Sequence, residues 1–71
     1  MGQYGLNSAQ RAKVRSMVEN REDGLYVRDQ IYDMSSSDGW NYDANVDFCV
    51  WLAHRGYHET AKYLKSRINN S

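Results

Sequence analysis

The stretch Asp43-Ala44-Asn45-Val46-Asp47-Phe48-Cys49-Val50-Trp51-Leu52-Ala53-His54-Arg55-Gly56 decides the fold. Its centre, Phe48 to Ala53, is apolar around nearly the whole circumference of a helix. A helix apolar on all sides is expected to be buried from several of them, so Asp43 to about Arg55 is predicted as the core element. Gly56 suits a left-handed stop after it. Downstream, a helix from about His58 to Ile68 places Ala61, Leu64 and Ile68 on one face. Upstream, Ser35-Ser36-Ser37-Asp38-Gly39 reads as a loop spanning 35–41, because serine and aspartate compete for backbone hydrogen bonds and glycine permits positive φ. Before the loop, Asp23 suits the N-cap of a helix carrying Val27, Ile31 and Met34 at i, i+4, i+7, with Leu25 and Tyr32 beside them. The first helix is expected to start at Asn7 or Ser8 and run to Glu19 or Asn20, with Leu6, Val14, Met17 and Val18 along its apolar stripe.

Glycines at 24, 39 and 56 cut the chain into pieces of helix length, and proline is absent. With no long β-branched run, the pattern predicts an all-α fold: one domain over 1–71, a small bundle of three to four short helices, with 1–6 and 69–71 frayed. The aliphatic supply is thin. Leu, Ile, Val and Phe together number 12 of 71 residues, below the ~20% of an ordinary globular core. Zero formal net charge and nine aromatic residues argue against disorder, and imply an interior rich in rings and centred on Trp51. One cysteine, Cys49, excludes an intrachain disulfide and points to a reducing, cytoplasmic setting. No apolar run is long enough to span a membrane, and no secretory leader pattern opens the chain.

The residue types needed for catalysis are present, but their spacing is wrong. His54 and His58 stand four apart, yet Gly56 between them breaks the shared helix face that a metal needs. Cys49 falls in the most apolar stretch, where a thiol has a raised pKa and acts as a small hydrophobe. Asn41, Asp43, Asn45 and Asp47 imitate the start of a calcium loop, but Val46 stands where glycine is required and Leu52 where a bidentate glutamate belongs. These polar residues are better explained as an N-terminal cap for the third helix. Neither enzyme activity nor a cofactor is expected.

Charge is segregated along the chain. Residues 19–47 hold eight acids (Glu19, Glu22, Asp23, Asp29, Asp33, Asp38, Asp43, Asp47) against Arg21 and Arg28, whereas both ends are net basic. An ordinary solvated surface would account for this. The sharper reading is an acidic face that docks on a basic site of a protein partner, including one that normally holds nucleic acid. Its expected contacts are Glu22, Asp29 and Asp33 with the aromatics Tyr26, Trp40 and Tyr42, since aromatics beside charges are typical interface anchors. Trp40 could instead cap the small core. A nucleic-acid alternative has the last helix presenting Arg55, Lys62, Lys65 and Arg67.

The pattern Phe48-x-x-Trp51-Leu52-x-x-x-Gly56-Tyr57-x-x-Thr60-Ala61-x-x-Leu64 resembles the LisH motif over residues 48–64. LisH motifs are helical dimerisation elements. The resemblance implies a homodimer through Trp51, Leu52, Tyr57, Ala61 and Leu64. In general character the chain also resembles the small accessory proteins of phages and mobile elements, which often inhibit larger machines. The leading expectation is a non-catalytic protein-binding adaptor or inhibitor; the alternatives are a self-associating module and a nucleic-acid-binding helix-turn-helix protein.

Overall fold

The computed structural model describes residues 5–34 and 41–69. They form four helices, α1 (Ser8–Glu19), α2 (Gly24–Met34), α3 (Tyr42–His54) and α4 (His58–Asn69), and there is no strand among the described residues. The chain is thus a small all-α bundle.

Each of the first three helices starts where a short polar side chain can hold its free N–H groups. Asn7 Oδ1 accepts from the Gln10 amide at 2.9 Å while Gln10 Oε1 accepts from the Asn7 amide at 3.0 Å, closing a capping box. Asp23 Oδ2 accepts from the amides of Leu25 and Tyr26 at 3.0 and 3.3 Å. Asn41 Oδ1 accepts from the Ala44 amide at 2.9 Å, so Asn41 opens α3 rather than closing the preceding loop.

Two helices end alike. After α3, Gly56 N–H donates to the Ala53 carbonyl at 3.1 Å and Tyr57 N–H to the Leu52 carbonyl at 3.0 Å, with Gly56 at φ +90°. This is the Schellman arrangement, and the expected left-handed stop is in place. After α1 the same pair of bonds recurs, from Arg21 N–H to Val18 and from Glu22 N–H to Met17, at 3.0 and 3.1 Å. Here the left-handed residue is Arg21, at φ +59°, which carries a Cβ and is strained for that reason.

α4 packs against both α3 and α2, and α1 packs against α2. The interior is aliphatic. Leu6, Val14, Val27, Ile31, Leu52 and Leu64 are completely buried, with Val18, Cys49, Ala61 and Ile68 nearly so. Each fully buried Leu or Ile contributes roughly 1.5–3 kcal/mol. Phe48 is the sole aromatic buried to this degree among the described residues, so the expected ring-rich interior is corrected. Tyr26, Tyr32 and Tyr42 are exposed, and Trp51, Tyr57 and Tyr63 only flank the core. α3 is likewise buried on one side alone, with Val50 53% exposed. Four helices of 11 to 13 residues are too few and too short to surround one of their number, so each buries a single stripe.

Buried polar groups tie the stripes together. Asn45, fully buried, donates Nδ2 to the carbonyls of Leu6 (2.9 Å) and Asn41 (2.8 Å) and accepts from the Leu6 amide at 2.8 Å. It is therefore not one of the helix-capping polars, and Leu6 is held in place where fraying of residues 1–6 was expected; residues 1–4 of that range lie outside the described residues. Thr60 Oγ1 donates to the Gly24 carbonyl at 3.1 Å, and Tyr57 OH to the Glu22 carbonyl at 2.7 Å. These two bonds fasten the start of α4 to the α1–α2 turn. No buried side-chain nitrogen or oxygen among the described residues lacks a partner.

Candidate interaction surface

α2 turns Val27 and Ile31 inward and leaves Leu25, Tyr26, Asp29, Tyr32 and Asp33 exposed on its outer side. Leu25 and Tyr32 are 59% and 56% exposed, and Tyr26 is 48% exposed, so three large apolar groups stand in water on one short helix. The acids lie among them. Asp29 meets Arg28 at 3.5 Å, but both side chains are exposed and such a pair contributes little. Tyr32 is braced from α4: the Arg67 guanidinium lies 4.9 Å from its ring centre, and the Tyr63 ring is tilted against it at 6.3 Å.

Helical spacing brings three of the expected contacts together. Tyr26, Asp29 and Asp33 share the outer side of α2 by that spacing, whereas Glu22, also exposed, lies in the α1–α2 turn before the Asp23 cap. Tyr42 is exposed but belongs to the first turn of α3, which has no substantial packing with α2, so it is not shown as part of the same face. Trp40 lies outside the described residues. Leu25 and Tyr32, read from the sequence as neighbours of the core stripe, are instead the most exposed apolar groups of the face. Their angular offset of roughly 100° or more from both Val27 and Ile31 was the available signal.

The basic residues of the last helix do not form one face. Lys65 and Arg67, two residues apart, diverge by roughly 200° around α4. Lys65 acts electrostatically on Cys49 of α3, while Arg67 covers Tyr32 of α2. Lys62 is exposed, and Arg55 sits beyond the far end of α3 with its guanidinium 5.1 Å from the Trp51 ring centre. The hairpin residues expected to support self-association serve the chain's own interior. Leu52, Ala61 and Leu64 are buried, and Trp51 and Tyr57 are half-buried. Of these five, Trp51 and Tyr57 keep part of their surface in solvent, where a second copy could touch them.

Cys49 is 7% exposed. Burial pushes its thiol up to about 11, against a smaller opposing pull from Lys65, so the sulfur is held protonated at neutral pH, as its apolar surroundings predict. His54 closes α3 and His58 opens α4, both exposed, on separate helices either side of Gly56. The chain matches no protein-family model, no curated protein and no solved structure.

Proposed function

We propose that this chain is a non-catalytic protein-binding adaptor or inhibitor that lays the outer face of α2 on a basic surface of a larger macromolecular machine. The observation that supports this reading is the exposure of Leu25, Tyr26 and Tyr32 on a helix whose outward side also carries Asp29 and Asp33. Large side chains left in water gain free energy when a partner covers them, and clustered ones mark contact sites. Acids between them steer a basic partner into register and raise the association rate more than the affinity. The face is also pre-organised. Asp23 caps its helix, Thr60 holds its first carbonyl, and Arg67 and Tyr63 brace Tyr32, so little ordering entropy remains to be lost on binding.

Affinity capture from the cells that encode the protein, quantified for wild type and two double variants, tests the reading. Leu25→Asp with Tyr32→Asp removes the apolar anchors and is expected to weaken the complex at least tenfold. Asp29→Lys with Asp33→Lys is expected to slow association and to flatten its dependence on salt. A partner that both variants retain as well as wild type would refute the assignment of this face.

A further inference from the structure

The two basic ends of the sequence meet in space. Arg15 of α1 and Arg55 after α3 both place their guanidinium carbons on the Trp51 ring, at 5.4 and 5.1 Å from its centre, and Arg15 is also 5.4 Å from the Phe48 ring centre. Phe48 stacks on Trp51 with centres 5.5 Å apart and planes 8° from parallel. A guanidinium lying over a ring is held by its face and keeps its N–H edge turned outward. Beside this cluster, Arg55 and Arg21 line a groove of about 430 Å³ with Val18, Glu19 and Tyr57. The Tyr57 ring is fixed there by its hydroxyl bond to the Glu22 carbonyl. Among the described residues, the side chains of Arg15, Arg21 and Arg55 make no ion pair and no hydrogen bond, and all three are exposed. Three acids border the cluster: Glu19 in the groove wall, Asp47 one turn before Trp51, and exposed Glu22, which follows Arg21 and whose carbonyl holds Tyr57.

The geometry points to a binding site for single-stranded nucleic acid on the α1–α3 side of the bundle, separate from the α2 face. Arg15, Arg21 and Arg55 hold successive phosphates, and the groove between Val18 and Tyr57 receives one unstacked base. Guanidinium forks with unused donors match phosphate oxygens. The pinned Tyr57 ring gives a base a face to stack on, which a carboxylate-bearing peptide does not need. A groove of this volume is of small-ligand size. A duplex keeps its bases stacked and cannot use it. The site differs from a basic face on α4, because Lys62, Lys65 and Arg67 take no part.

Fluorescence anisotropy of a labelled oligothymidylate, titrated with the full chain at low salt, is the test. Three phosphate contacts predict a slope of about −2 for log affinity against log salt, or roughly 15-fold weaker binding between about 50 and 200 mM. Arg55→Gln and Arg15→Gln are each expected to weaken binding about fivefold and to reduce the slope by about 0.7, whereas Arg55→Lys retains most of the affinity. Glu19→Gln, which removes the acid from the groove wall, is expected to tighten binding two- to threefold, on the order of 0.5 kcal/mol. Lys62→Gln with Lys65→Gln leaves it unchanged. Far-UV circular dichroism of each variant checks that the fold is retained. Absence of binding at low salt overturns the inference. So does equal loss in the Lys62/Lys65 variant, equal affinity for duplex, or displacement by polyglutamate as efficient as by unlabelled oligonucleotide.

Discussion

Replacing Asn45 by alanine tests whether the bundle depends on one buried amide to hold its N-terminal segment. In the native fold the side chain makes three hydrogen bonds, two of them to the amide and carbonyl of Leu6, at a position with no solvent access. Alanine leaves the Leu6 N–H buried without an acceptor, at a cost of about 1–3 kcal/mol. The Leu6 carbonyl keeps a donor in Arg11 Nη1, so it adds little. The segment has one escape. It can peel away and regain water, which exposes the completely buried Leu6 side chain and forfeits roughly 1.5–3 kcal/mol. Either route gives a loss of about 1–3 kcal/mol, a large share of the stability available to so small a domain. Urea unfolding followed by tryptophan fluorescence measures it. A cycle with Leu6→Ala separates the routes: if the segment peels away in Asn45→Ala, adding Leu6→Ala costs almost nothing more. Asn45→Asp is expected to be worse than alanine, because it sets a buried carboxylate against the Leu6 and Asn41 carbonyls. An unchanged urea midpoint for Asn45→Ala, or tolerance of aspartate at neutral pH, would refute the reasoning.

Arg21→Gly relieves the Cβ strain at φ +59° and is expected to stabilise the fold by about 1 kcal/mol, read as a higher thermal midpoint. Thr60→Val removes the 3.1 Å bond to the Gly24 carbonyl while keeping the shape, and is expected to lower stability by about 1 kcal/mol, whereas Thr60→Ser keeps the bond. Cys49 makes stability depend on pH on the alkaline side. Below about 9 the thiol is protonated folded or unfolded and has no effect. Between 9.0 and about 11 the unfolded thiol ionises while the folded one does not, so stability falls as pH rises, by on the order of 2–3 kcal/mol in all. Subtracting the pH profile of Cys49→Ala isolates this contribution from every other pH-dependent one, and a flat difference across that window removes it.

Much of the architecture was legible because it rests on local signals. Asn7 and Asp23 mark helix starts through bonds that span two or three residues, and Gly56 marks a stop through its own backbone freedom. The inward stripes of Val27 with Ile31, and of Ala61 with Leu64 and Ile68, follow from helical periodicity. The end of α1 at Arg21 was not marked, because an arginine gives no sign that it will adopt positive φ. The acidic run on α2 was visible, but its apolar partners Leu25 and Tyr32 were assigned to the wrong side.

The sequence alone determined the all-α class, the positions of the helices and which stripe of most of them faces inward, since these depend on residues within a turn or two of one another. Only the tertiary structure decided which rings stay wet, that Asn45 reaches 39 residues back to clamp Leu6, and that Arg15 meets Arg55 across Trp51. Such pairings depend on how four short helices stack, and the number of neighbours available to each helix is not written in its own periodicity. Phe48 to Ala53 is apolar around its circumference, yet α3 has packing neighbours on one side, and Val50 remains in solvent.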